Sequence, residues 1–407
     1  MKFSSFVILA LLLALPGWTK ASAPPPPLLL ISLDGFRWDY CALHPAETPN
    51  LRALARAGTT AEGLIPVYPT NTFPNHYSIA TGLRPVHHGI INNDFFDADR
   101  GAFFAYRNPA AVAAAHWWGG EPIWTTAGRQ GRPSASYFWV GSEAEIHGLR
   151  PTFWKRYDYS IAFGQRLDEL VGWLTLPADR RPAVVTFYLE ETNSAGHTYG
   201  PDSPELAAAV RLLDTRVGEI RDRLAAVGIT PDFVIVSDHG MTPTSPGRVL
   251  FLDDYVDLAT VQIDFGGSAV GLRPKDGDAA ALVAKFSALS HARAALVSDL
   301  PANFHLKDHP RVPPVWIVPE PGWIVTQRAR FESARARGKF NIGDHGYDPD
   351  HPDMRGLFIA SGPSFKAGVV VPPVENIHIY NLLCAALRLK PAPNDGDDRL
   401  VRAALRP

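Results

Sequence analysis

The chain has 407 residues, with 39 Lys and Arg against 41 Asp and Glu and a formal net charge of −2 at pH 7. No basic stripe interrupts that balance, which excludes a protein built to hold genomic nucleic acid. The length suits one large α/β domain with insertions, or two domains, and two cysteines, Cys41 and Cys384, are too few for a Cys-type metal cluster.

In chain order, residues 1–23 read as a signal peptide. Lys2 gives a basic start, residues 6–15 an apolar core, and Ala21-Ser22-Ala23 an A-x-A cleavage site. The apolar run is too short to span a bilayer, and no later stretch qualifies, so the expectation is an exported protein, periplasmic or secreted. Such a chain permits a Cys41–Cys384 disulfide; two separate buried thiols fit equally well. After the prolines at 24–27, residues 28–32 form a short apolar run, read as a buried parallel strand ending in Leu33-Asp34-Gly35. Thr48-Pro49 opens a helix that Gly58 stops. The stretch Pro69 to Ser78 turns from loop to helix, with Pro74 in the first helical turn and Thr72 at or just before its start.

Residues 94–160 are rich in Trp, Gly and Pro without steady periodicity and read as an irregular segment over the sheet. A second buried strand is expected over 183–189, followed by the loop from Glu190 to His197. Ser203-Pro204 opens the most regular helix, with Leu206, Val210, Leu213, Val217, Ile220 and Leu224 at helical spacing. Residues 233–236 form the next strand and end at Ser237-Asp238-His239-Gly240. Residues 249–325 read as an inserted α+β lobe holding a helix over 279–289, and Gly343-Asp344-His345-Gly346-Tyr347 as a glycine-flanked loop. A late strand at 357–360 and a closing helix over 376–387 complete the pattern. The expectation is an α/β fold with a largely parallel central sheet covered by helices on both faces, and one catalytic domain over 24–407.

In such sheets the working residues lie at the carboxyl ends of strands. Three strand ends deliver metal-type ligands: Asp34, the Asp238-His239 pair, and Asn193-x-x-x-His197. His345 adds a fourth segment. Carboxylate with imidazole suits zinc, and a binuclear site needs about six such ligands. An isolated Asp-His-Gly is more often a turn than a ligand pair; the convergence carries the reading. Of the other histidines, His76, His87 and His88 read as structural.

The chain resembles the nucleotide pyrophosphatase/phosphodiesterase family of the alkaline phosphatase superfamily, in its compact bacterial form. Matching residues are Ser32-Leu33-Asp34-Gly35-Phe36-Arg37, Thr72-Phe73-Pro74-Asn75-His76-Tyr77, Thr81-Gly82-Leu83-Arg84-Pro85, His88-Gly89-Ile90-Ile91, Ser237-Asp238-His239-Gly240-Met241 and Gly343-Asp344-His345-Gly346-Tyr347-Asp348, within residues 27–396. The resemblance implies an alkaline-phosphatase-like fold and two Zn²⁺. Thr72 would be the nucleophile, with Asp34, Asp238 and His239 holding one ion beside it and Asn193, His197 and His345 the second. Asn93 would stabilise the phosphoryl oxygen, and Phe73 and Tyr188 would sandwich a nucleobase. The implied reaction passes through a nucleotidyl-threonine to a nucleoside 5′-monophosphate, from a small nucleotide substrate. Asn193 departs from the family's Asp and leaves three readings open: a weaker neutral ligand, Glu191 as a stand-in, or a partly disabled site. Alternative functions are a choline-type lysophospholipid phosphodiesterase and a metal-impaired nucleotide-binding protein. Asn93 argues against a phosphate monoesterase.

Overall fold

In the computed structural model, which describes residues 24–306 and 309–407, Leu28–Leu33 is a strand with all six residues buried. The expected signal peptide lies outside the described residues. This strand pairs in parallel with Val184–Leu189 on one side and with Asp232–Val236 on the other. The full sheet has eight strands, in the order Val369–Val371, Thr59–Ala61, Phe358–Ser361, Asp232–Val236, Leu28–Leu33, Val184–Leu189, Ser134–Tyr137 and Phe153–Lys155. Phe358–Ser361 runs antiparallel to both neighbours; the other pairings within this sheet are parallel.

Side chains alternate along a strand, so a strand covered on both faces is apolar at every position. Leu28 and Leu30 join one apolar cluster, while Leu29, Ile31 and Leu33 join a second on the opposite face. The second is closed by Pro204–Ala226, whose Leu206, Val210, Leu213, Val217, Ile220 and Leu224 are buried as their spacing predicts. Ser203 Oγ accepts a hydrogen bond from Leu206 N at 3.1 Å and caps this helix. The first cluster is closed in part by Thr72–Thr81 and Ile379–Ala386. A separate four-stranded antiparallel sheet, Val261–Phe265, Val270–Pro274, Val315–Pro319 and Ala292–Leu296, carries its own apolar cluster, to which helix Ala279–Lys285 contributes Leu282.

Three stretches differ from expectation. Residues 94–160 are not irregular: they supply the hairpin Asp94–Asp97/Ala102–Ala105, the helix Ile123–Arg129 and two strands of the main sheet. Ser134–Tyr137 is a fully buried strand made mostly of small residues, which gives neither alternation nor an apolar run to read. The expected loop from Glu190 to His197 is instead the helix Glu191–Tyr199. Gly343–Asp344 pairs as a short antiparallel strand with Thr242–Pro243. Cys41 and Cys384 are free thiols. No helix among the described residues is long and apolar enough to cross a membrane.

Candidate active site

Asp34 follows strand Leu28–Leu33, Asp238 follows Asp232–Val236, and helix Glu191–Tyr199 follows Val184–Leu189. These strands are neighbours in the sheet, so their carboxyl ends deliver all three segments to one place. Gly35 makes the turn after Asp34 possible. Its φ is +66°, and a Cβ there would stand 3.0 Å from the Cα of Asn193. Asn193 and His197 are four residues apart on one helix, a spacing that puts both side chains on the same face.

Thr72 opens the helix Thr72–Thr81, with Asn71 as the N-cap in extended conformation. The Asn71 amide donates to Asn92 Oδ1 at 2.7 Å instead of capping, and Phe73 N donates to Asn93 Oδ1 at 2.9 Å. That second bond fixes the Asn93 side chain across the helix start and leaves its NH₂ group as a donor. The helix N-terminus adds its positive dipole end beside the Thr72 hydroxyl.

The four residues expected at the first metal position meet around one atom. His239 Nε2 lies 3.0 Å from Asp238 Oδ2, 3.5 Å from Asp34 Oδ1 and 3.4 Å from Thr72 Oγ1. Asp34, Asp238 and His239 are at most 1% exposed. Asp34 Oδ2 accepts from the Tyr188 hydroxyl at 2.5 Å, and Asp238 Oδ1 accepts from Gly35 N at 3.2 Å. The second expected group is adjacent: His345 stacks on His239 with centroids 3.5 Å apart, and His345 Nε2 stands 3.1 Å from His197 Nε2. Asp344, the residue before His345 in the glycine-flanked segment, joins His197 and His345 as a third metal-type residue.

Hydrogen bonds fix which imidazole nitrogen is free. Each Nδ1 of His239, His197 and His345 faces a backbone carbonyl, of Gly240 at 2.9 Å, Gly343 at 2.9 Å and Thr70 at 3.0 Å respectively. A carbonyl only accepts, so this contact places hydrogen on Nδ1 and leaves Nε2 as the nitrogen whose lone pair a bound cation would take; His197 Nδ1 has the Asn341 amide nitrogen at 3.1 Å as well. Two Nε2 lone pairs at 3.1 Å repel unless a cation lies between them. Asp34 Oδ1 and Asn193 Oδ1 are buried without a hydrogen-bond partner, which is costly for polar atoms that nothing coordinates. Orphaned oxygens and facing imidazole nitrogens therefore fit metal ions at both positions, and the carboxylate–imidazole chemistry suits zinc.

The charges in the first group hold protons in the metal-free protein. Burial, reinforced by Asp238, pushes the Asp34 carboxyl up to about 7. Burial would depress the His239 imidazole, but the Asp238 and Asp34 carboxylates outweigh it and raise it to about 9. Asp238 itself is pulled well below the carboxylate range against its burial, by His239 and His76. His345 is driven well below the usual imidazole range by burial, with His239 and His197 adding to the effect.

A cavity of about 750 Å³ opens beside Thr72, lined among others by Phe73, Asn93, Tyr106, Tyr157, Tyr188 and Asn193. Tyr188 is 9% exposed and its hydroxyl is bound to Asp34, so it supports a ligand position and offers little free face to a base. Tyr157 is 48% exposed and lines the same cavity. No local pattern marks it, because it stands outside any regular element. Glu191 pairs with Arg216 through Oε1 and leaves Oε2 without a hydrogen-bond partner. His76, read as structural, bridges Ser32 Oγ at 2.7 Å, Asp238 Oδ2 at 3.2 Å and Thr72 O at 2.9 Å. His88 bonds Ser78 and His87 bonds Asp395, away from the centre.

Two groups of metal-type ligands on the carboxyl edge of a mostly parallel sheet, beside a helix that begins on a hydroxyl, define an alkaline-phosphatase-like α/β protein. Human ectonucleotide pyrophosphatase/phosphodiesterase 5 matches with a TM-score of 0.87 and 30% identity, over 94% of this chain and 100% of that one. The murine protein, solved as an inactive threonine-to-alanine variant in complex with AMP, gives 0.87 and 29% over 94% and 100%. The type I phosphodiesterase / nucleotide pyrophosphatase family model matches residues 28–348, and the chain belongs to that family. A venom phosphodiesterase of Crotalus durissus collilineatus is 38% identical over 91% of this chain and 45% of its own length. Human family member 1 is also 38% identical, over 91% and 41%. A Schizosaccharomyces pombe pyrophosphatase/phosphodiesterase is 37% identical over 91% and 78%. The chain thus spans less than half the length of the venom phosphodiesterase and of human family member 1.

Proposed function

We propose that the protein is a periplasmic or secreted di-zinc phosphodiesterase. It cleaves nucleotide phosphodiester or pyrophosphate bonds through a covalent nucleotidyl-threonine and releases nucleoside 5′-monophosphate. The observation that carries this reading is the convergence of Thr72 Oγ1, Asp34 Oδ1 and Asp238 Oδ2 within 3.5 Å of His239 Nε2, at the wall of a cavity of about 750 Å³. The AMP complex of the murine relative supports a nucleoside monophosphate as the ligand class.

Zinc held by Asp34, Asp238 and His239, and by Asn193, His197 and His345, would supply Lewis-acid charge that lowers the threonine pKa and neutralises the attacking and leaving oxygens. The chain's own residues do the rest. Thr72 Oγ1 attacks the α-phosphorus, forming the P–O bond as the bond to pyrophosphate or alcohol breaks; water later cleaves the threonine ester. The Asn93 amide, held by Phe73 N, donates to a non-bridging oxygen as negative charge develops there. Phe73 and Tyr157 offer apolar ring surface to the base, while Tyr188 keeps Asp34 oriented. A neighbouring cavity of about 460 Å³, lined by Asn93, His197, His345, Gln327 and Arg330 among others, leaves room for the departing group.

Product analysis of ATP incubated with the purified protein and zinc tests this. AMP plus pyrophosphate is the expected outcome; ADP plus phosphate would place the protein among monoesterases. Absence of turnover in excess zinc, with AMP still bound, would favour the metal-impaired nucleotide-binding reading that Asn193 keeps open. Lysophosphatidylcholine run in parallel tests the choline alternative.

A further inference from the structure

The two groups of ligands are not equal in charge. Asp34 and Asp238 bring two carboxylates to the first position, while Asn193, His197 and His345 bring none to the second. A dication taken out of water by three neutral ligands lacks the countercharge that a buried or half-buried ion needs. Of the nearby acids, Glu191 is paired through Oε1 with Arg216, and Glu190 stands 3.8 Å from Arg166 with both carboxylate oxygens unbonded; neither belongs to the cluster that His197 and His345 form.

Asp344 is placed to supply that charge. One ligand-type atom from each of His197, Asp344 and His345 lies within 4.8 Å of the others. Asp344 Oδ1 accepts from His345 N at 2.9 Å, which holds the carboxylate in place, and stands 3.8 Å from His197 Nδ1. The same Nδ1 faces Gly343 O at 2.9 Å and Asn341 Nδ2 at 3.1 Å, with the Asp344 carboxylate just behind them, while Nε2 faces His345. Negative charge on the far side of a ligating imidazole raises its basicity. The short strand pairing of Gly343–Asp344 with Thr242–Pro243 anchors the backbone that carries both Asp344 and the Gly343 carbonyl.

We propose that Asp344 supplies the negative charge of the second metal position in place of the neutral Asn193, acting through His197 as a positioning residue. This rests on the di-zinc reading. It gives a chain with Asn193 one carboxylate beside the second position, on the strand that faces the helix Glu191–Tyr199.

The test is zinc titration of the chelator-stripped full chain against a competing chromophoric chelator, read without substrate. It compares wild type, Asp344→Asn, Asn193→Asp and the double variant, each checked for native circular dichroism. Wild type is expected to bind two ions, the second more weakly. Asp344→Asn is expected to weaken the second ion by about 10–100-fold and leave the first unchanged. Asn193→Asp tightens the second ion, and in its presence Asp344→Asn costs far less, because the charge is restored from the other side. That non-additivity is what a merely structural role would not produce. Two ions bound alike by wild type and Asp344→Asn, or an equal loss in both backgrounds, overturns the proposal and leaves the di-zinc reading standing. A single ion in wild type at saturating zinc overturns both.

Discussion

The first and second ligand groups share one edge of one sheet and are built by different means. Asp34, Asp238 and His239 follow neighbouring parallel strands whose backbones the sheet holds rigid, and all three are sealed from solvent. The second group comes from a helix and a two-residue strand, and its His197 and Asp344 side chains are 23% and 18% exposed. With zinc bound, two carboxylates in a dry, rigid setting would make the firmer position. One carboxylate behind an imidazole, partly in contact with water, would make a position whose affinity single substitutions tune.

The largest effect that would sharpen this contrast is at Thr72. Thr72→Ala is expected to lower turnover by roughly 10⁴-fold or more while zinc content and thermal stability stay near wild type; appreciable residual hydrolysis would remove the threonine from the chemistry. A smaller effect is expected at His76, which touches the first group and not the second. Its Nδ1 lies 3.2 Å from Asp238 Oδ2 and 2.9 Å from Thr72 O. His76→Gln should weaken the first ion by about 10–100-fold and spare the second in a chelator-competition titration. Equal loss at both positions would mean that the two groups do not act independently.

The smallest effect is in pH dependence. In metal-free protein Asp34 and His239 are raised to about 7 and about 9. A raised pKa means that the folded state binds more protons than the unfolded chain, so this stabilisation is complete at low pH and is lost as pH rises through those values. Zinc takes the place of the protons, so its affinity grows over the same window. The difference in Tm between zinc-loaded and metal-free protein should therefore widen from pH 6 to 9. A constant difference would mean that the first group does not exchange protons for metal.

Much of this arrangement was legible in the residues, and the gaps have physical causes. Strands buried on both faces, such as Leu28–Leu33, announce themselves as unbroken apolar runs, and Pro204–Ala226 as a capped periodic helix. Ser134–Tyr137 carries neither signal, because its burial comes from neighbouring strands and not from its own composition. The residues of helix Glu191–Tyr199 suggest a loop, because Thr, Asn, Ser, Gly and His are poor helix formers; packing against Pro204–Ala226 overrides that preference.

Hydrophobic period and chain order dictate the α/β class, the strand-end positions of Asp34, Asp238 and His239, and the hydroxyl at the start of a helix, so these are legible in the residues alone. The tertiary structure decided what lies across the gap between segments distant in the chain. It set Tyr188 on Asp34, left Tyr157 facing the cavity, tied Glu191 to Arg216 and brought Asp344 behind His197. Such pairings depend on how elements far apart in sequence pack together, and local pattern carries no record of that distance.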